Sequence, residues 1–140
     1  MFGMLRFWQS KSRVYQPQGI YIGNSALHGR GVFAGQLFKP GDIIEEAPVV
    51  LLDNSEKACL QHTSLFGYYF LTPDEKNSLA FGLGYSSLYN HFCPANAGYK
   101  LNLQKRLIII RAIKAIYCNE EIVINYTGDP DNASPVYFPE

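Results

Sequence analysis

The stretch LYNHFCPANAG, residues 88–98, sets His91 beside Asn90 and an aromatic, two places before Cys93 and five before Asn96. Imidazole, thiol and amide in that order could serve a metal, a nucleophile or a bound ligand. Zinc takes three or four Cys, His or carboxylate ligands at short, characteristic spacings. Here Cys59 and Cys118 lie far from Cys93, and His28 and His62 have no paired spacing, so no metal is expected. A cysteine nucleophile needs a base in contact with the thiol and a third group to orient that base. Residues two apart on a strand share a face, so the pair is sterically allowed. Yet no glycine-rich turn adjoins Cys93, and no helix start is expected there to lower its pKa. Neither chemistry is supported by this stretch alone, and the rest of the chain has to say what His91 does.

The elements that would position these groups are short strands. IYIG (20–23), RGVFA (30–34), DIIEEAPVVLL (42–52) and SLAFG (78–82) are apolar or alternating runs bounded by glycine and proline, with Lys39-Pro40-Gly41-Asp42 as a turn. Tyr99, Leu101 and Leu103 alternate with Lys100, Asn102 and Gln104, the period of a half-buried strand. A turn at 104–106 leads into LIIIRAI (107–113), and EEIVINY (120–126) is a further strand. Between Asp53 and Phe70 one short helix is expected. The tail from Gly128 carries three prolines with Tyr137 and Phe138, which suggests an irregular segment folded back over something. The start, with Met4, Leu5, Phe7 and Trp8, reads as an arm that docks on the domain or on a partner.

At 140 residues the chain is one domain, large enough for a core without staples. Twelve Lys and Arg balance twelve Asp and Glu, so no overall field draws nucleic acid or acidic lipid. A basic protein partner would have to be recruited by a local acidic rim, for which Glu45, Glu46, Glu120, Glu121, Asp129, Asp131 and Glu140 are candidates. Three cysteines without CxxC spacing argue against a disulfide framework. No run approaches the roughly 20 apolar residues that cross a bilayer, and the N-terminus is too short and too charged for a secretory signal. A soluble, cytoplasmic protein is expected, or a nuclear one if it acts as an effector in a host.

GRGVFA (29–34), KPGDIIEE (39–46), YNHFCPAN (89–96) and EEIVINYTG (120–128) occur in the order and spacing of a SET domain, and the chain resembles the minimal bacterial and viral members of that family of protein-lysine methyltransferases. The resemblance spans 18–129, with 1–17 as the arm and 130–140 as a tail able to cover the active site. It implies a mainly β, β-clip-like fold of several small curled sheets, few short helices and a C-terminal pseudoknot. It also implies methyl transfer from S-adenosylmethionine, leaving S-adenosylhomocysteine, to a lysine of a protein or peptide, with a histone tail as one such substrate. No nucleic acid or membrane is implied, and a homodimer is left open.

Carried over by motif, Asn90 and His91 contact S-adenosylmethionine. His28, Gly29, Arg30 and Gly31 form the other cofactor wall through their backbone, and Tyr126 is the catalytic tyrosine that also touches the cofactor. Tyr68 and Phe70 line the lysine channel. The chain departs from the family pattern at Phe92, at the shifted Pro94, at Glu46 where the family often has a tyrosine, and at Ile124, where an aromatic commonly governs methyl number. Cys93 keeps a family cysteine position without the downstream zinc cluster, so it is expected to be a buried structural thiol. Glu46 and Phe92 also support an alternative, a catalytically weak SET-fold interaction module.

Overall fold

The computed structural model describes residues 13–74 and 78–136, so the apolar residues of the arm, together with Tyr137 and Phe138, lie outside the described residues. Nine strands follow one another: β1 (Ile20–Asn24), β2 (Arg30–Ala34), β3 (Ile43–Leu52), β4 (Tyr69–Leu71), β5 (Leu79–Gly82), β6 (Asn90–His91), β7 (Ala97–Asn102), β8 (Leu107–Ala112) and β9 (Glu121–Ile124). They form two curled sheets, one ordered β1-β2-β9-β6 and the other β4-β5-β3-β8-β7. The expected mainly β fold is what the chain adopts.

The five-stranded sheet is antiparallel throughout. Its middle strand β3 is the longest, and β8 beside it buries Leu107, Ile108, Ile110 and Ala112 while exposing Arg111. The hairpin into β8 closes where Lys105 N–H donates to the Asn102 side chain and Arg106 adopts φ 51°. The Lys39–Asp42 turn is locked by Asp42, whose carboxylate accepts from Lys39 N–H at 2.8 Å, with Gly41 at φ 93°. Val32, Ile108, Ile110, Ile116, Ile122 and Ile124 are fully buried and join the two sheets in one core.

The expected helix between Asp53 and Phe70 shrinks to a 3₁₀ turn at Asn54–Glu56 and the four-residue α1 (Lys57–Leu60). The end of that region turns into the edge strand β4 instead. Tyr69-Phe70-Leu71 pairs with β5, and the aromatics there take the pleated surface.

In the four-stranded sheet, β6 and β9 run parallel, with Asn90 opposite Val123 and His91 opposite Ile124. Beyond them, Phe92 N–H donates to Ile124 O and Ala95 N–H to Pro130 O. The C-terminal segment is thus laced to residues 90–96.

Truncating a side chain that joins the sheets removes buried contacts and leaves a cavity. Ile110→Ala should therefore cost about 2–5 kcal/mol, whereas Leu71→Ala, at a position 63% exposed, should change stability by under about 0.5 kcal/mol. Urea unfolding of both variants checks this; equal costs would contradict the placement of the core.

Candidate active site

Two walls face each other across a cleft of about 1010 Å³. The first is the turn before β2. Ser25 N–H donates to Gly29 O (2.9 Å), and the Ser25 hydroxyl oxygen accepts from Leu27 N–H (2.9 Å) and His28 N–H (3.3 Å). Gly29 closes the turn at φ 49°, and a Cβ there would meet no atom within 4 Å. The backbone of His28, Gly29 and Arg30 therefore borders open space, as a close approach to a ligand requires.

The second wall is β6. A two-residue strand has too few ladder bonds to hold itself, and Asn96 supplies more. Its side chain donates to Glu121 O and accepts from Val123 N–H, both at 2.9 Å, which mimics one more residue of strand against β9. This is the role of the second asparagine in the PAN run. Asn90 is buried, and its Nδ2 donates towards His28 O, Arg30 O and Glu121 Oε1 at 3.0, 3.2 and 2.8 Å.

His91 accepts from Tyr126 N–H at Nδ1 (3.1 Å), which assigns its proton to Nε2. Burial lowers its pKa, so the ring is neutral near pH 7. Its one acceptor nitrogen is committed to the backbone, and His91 cannot act as base towards Cys93. Tyr126 stands 5.3 Å from it, ring centre to ring centre, and its hydroxyl donates to Tyr89 O at 2.8 Å. Burial, and then the neighbouring Tyr68, push the Tyr126 phenol up to about 12. It stays protonated and is no general base at neutral pH.

Behind Tyr126 opens a second cavity of about 700 Å³ lined by aromatics, among them Tyr68, Tyr69, Phe70, Tyr89 and Tyr99. Phe70 packs on Tyr99 at 4.9 Å, and the Tyr99 hydroxyl reaches Tyr126 O at 3.4 Å. Phe66, Gly67, Tyr68, Ser87 and Tyr126 border both spaces. Tyr126 therefore stands where the cleft bordered by the 28–30 turn and Asn90-His91 meets an aromatic cavity.

The structure brings His28, Gly29, Arg30, Asn90, His91 and Tyr126 to the first cavity, and Tyr68, Phe70 and Tyr126 to the second. Gly31 is buried and lines neither; it lies under Asn90 and Glu121. Glu46, Phe92 and Ile124 border neither cavity. Val136, in the tail, does reach the aromatic one.

Cys93 is half-buried rather than buried. The proposed acidic rim also loses two members. Glu45 is 2% exposed and accepts from Tyr85 N–H and the Tyr89 hydroxyl, both at 2.9 Å; burial raises its pKa while the two bonds pull it back. Glu121 is turned inward onto Asn90 and Ser25.

Sequence reading missed Tyr89, Tyr99 and Ser87. Tyr99 was visible only as the buried phase of an alternating strand. Nothing local marks Tyr89, whose contribution is a backbone carbonyl. Among the described residues no group of three or more His, Cys, Asp or Glu is placed to hold a metal, and no helix is long and apolar enough to cross a membrane.

Residues 29–127 match the SET domain family, and the chain belongs to it. No curated protein matches it significantly. Among solved structures it is similar to a Plasmodium falciparum protein described as a candidate histone methyltransferase, at 31% identity and TM-score 0.63 over 81% of this chain and 95% of that one. It is also similar to a humanised mutant of the Chaetomium thermophilum Polycomb Repressive Complex 2 bound to the inhibitor GSK126, at 24% identity and TM-score 0.67, covering 79% of this chain and 15% of that one. A third likeness is to an autoinhibited form of that complex bound to S-adenosylmethionine, at 23% identity and TM-score 0.67, covering 80% and 15%. At these lower identities the complexes share the fold.

The His91 environment fixes a pH effect. Its pKa is lowered on folding from 6.5, so the unfolded chain takes up the proton first. The His91 contribution is neutral well above pH 6.5 and turns destabilising as pH falls through it. Ring-proton NMR should place the His91 midpoint below 6.5, and the stability difference between wild type and His91→Gln should shrink or reverse in acid. A midpoint above 6.5 would contradict the neutral, backbone-bonded ring.

Proposed function

We propose that the chain is a protein-lysine methyltransferase that takes its methyl group from S-adenosylmethionine. The observation that carries this is the meeting of two cavities at Tyr126, one faced by the Gly29 backbone, Asn90 and His91, the other lined by aromatics. The first suits a nucleoside with an amino-acid end, and the second suits a methylene stem.

The residues present fit that cofactor. Asn90 turns its Nδ2 into the protein, so Oδ1 is left to accept from a ligand ammonium. His91 is neutral and adds no cation beside a sulfonium. The open Cβ position of Gly29 admits close contact with the backbone, and Arg30 borders the same cleft, where a ligand carboxylate can pair with it.

When bound, S-adenosylmethionine supplies a methyl already activated by its sulfonium. The chain then has mostly to align, which for well-oriented reactants is worth several orders of magnitude. Tyr126 donates its proton to Tyr89 O, which leaves its oxygen lone pairs at the junction for weak C–H···O contacts with a methyl. Tyr68, Phe70 and Tyr99 enclose the lysine stem and exclude water. The lysine amine must be neutral to attack, and both desolvation and a nearby positive charge lower its pKa. Its proton leaves to bulk water before the stem is enclosed, since Tyr126 is protonated and Glu45 is engaged by Tyr85 and Tyr89.

The open aromatic cavity suits a lysine side chain presented by a protein, and the likeness to a candidate histone methyltransferase makes a histone tail the first to test. The alternative, a SET-fold interaction module, rested on Glu46 and Phe92. Both lie outside the two cavities, and measured turnover of the wild type decides between the two readings.

Calorimetric titration with S-adenosylhomocysteine should show micromolar binding that weakens about 100-fold in Asn90→Ala/His91→Ala, as the loss of two ligand hydrogen bonds predicts. Tyr126→Phe should bind within about twofold of wild type but transfer methyl to lysine peptides about 100-fold more slowly. Full turnover in Tyr126→Phe would remove the tyrosine from the mechanism, and a folded protein that binds no cofactor would overturn the enzyme reading.

A further inference from the structure

Glu121, the first residue of β9, has both carboxylate oxygens occupied. Oε2 accepts from the Ser25 hydroxyl and Oε1 from Asn90 Nδ2, each at 2.8 Å. With His28 O and Arg30 O, that places three acceptors around one amide nitrogen. Flipping the amide would set Oδ1 against a carboxylate and two carbonyls, so the orientation is determined. Oδ1 takes no part in these bonds. No buried polar side-chain atom among the described residues lacks a hydrogen bond, so Oδ1 is open to the cleft that Asn90 lines.

Gly31 belongs to the same arrangement. Its φ is not left-handed, so its glycine is not required for backbone conformation. A Cβ there would lie 2.2 Å from Glu121 Oε1 and 2.9 Å from Asn90 Nδ2. The bare Cα leaves the room in which carboxylate and amide meet.

We propose that Glu121 is the positioning residue of the cofactor cleft: tethered by Ser25, it fixes the Asn90 amide so that a carbonyl oxygen, and no N–H, faces the ligand. The site thereby selects a ligand that donates at that point, and the ammonium of an S-adenosyl amino acid is its strongest donor. The carboxylate stays behind the amide and polarises it without itself entering the cleft. This rests on the cofactor reading above.

The test is calorimetry on full-length protein with two ligands, S-adenosylhomocysteine and 5′-methylthioadenosine, which lacks the amino-acid end. Glu121→Gln keeps the size but exchanges one acceptor for a donor, so it cannot accept from both Ser25 and Asn90. It should weaken S-adenosylhomocysteine about tenfold, the range of one hydrogen bond to a charged group, and methylthioadenosine less than about twofold. In an Asn90→Ala background it should cause no further loss. Glu121→Asp, which keeps the charge but is one methylene too short to meet both Ser25 and Asn90, should give a smaller loss with the same ligand selectivity, and it carries the test if Glu121→Gln does not fold.

Equal losses for the two ligands, or a full additional loss on top of Asn90→Ala, would make Glu121 a general strut and overturn the proposal. Unchanged S-adenosylhomocysteine binding in Glu121→Gln would overturn it too. Those outcomes presuppose a wild type that binds. A wild type that does not bind sinks the cofactor reading itself, and this proposal with it.

Discussion

The parallel pairing of β6 with β9 is the constraint on which the site depends. It sets Asn90 opposite Val123 and His91 opposite Ile124, which brings the Asn-His pair beside Tyr126 although 35 residues separate His91 from it. A strand of two residues has little stability of its own. The Asn96 side chain extends it, Phe92 N–H continues the ladder, and Tyr126 N–H closes it on the His91 ring. One set of bonds thus holds the strand, fixes the imidazole tautomer and orients the tyrosine. Chemistry and fold cannot be separated at this point, because each polar group in the pairing serves both.

Polar groups behind the walls follow the same logic. Glu45, which is buried, and Glu121, which is half-buried, each accept two hydrogen bonds from segments beside the cavities, Glu45 from Tyr85 and Tyr89, Glu121 from Ser25 and Asn90. A buried carboxylate with both oxygens engaged is tolerated, whereas one left with a single partner is costly. Each glutamate therefore ties an irregular segment to a strand of the core. Rigid backing of this kind is what a reaction catalysed by alignment needs.

Much of the fold was legible in the chain. Period-two alternation around Tyr99–Leu103 and the apolar runs of β3, β8 and β9 marked strands, because burial on one or both sheet faces writes that pattern locally. The short strands β4 and β6 left no such trace. Two or three residues cannot show a period, and their extended state is imposed by β5 and β9. The four motif blocks located the Gly29-Arg30 turn, Asn90, His91 and Tyr126, but not the 61–71 segment that lines much of both cavities. What they did not show was which side of a residue does the work. Glu45 and Glu121, each next to another acid, read as members of an exposed acidic rim, yet their partners lie 31 to 96 positions away. Gly31 read as ligand backbone, whereas the space beside it is filled by the protein itself. Such roles depend on contacts between distant segments, which spacing within one segment does not encode.

The central claim is that one tyrosine stands between a cofactor cleft and a lysine channel. A crystal structure with S-adenosylhomocysteine and a methyl-lysine peptide bound together tests it most directly. The account predicts the cofactor between the 28–30 turn and Asn90-His91, its sulfur towards Tyr126, and the lysine nitrogen arriving from the Tyr68–Phe70–Tyr99 side. A cofactor seated elsewhere, or a lysine reaching the sulfur without passing those aromatics, would contradict it.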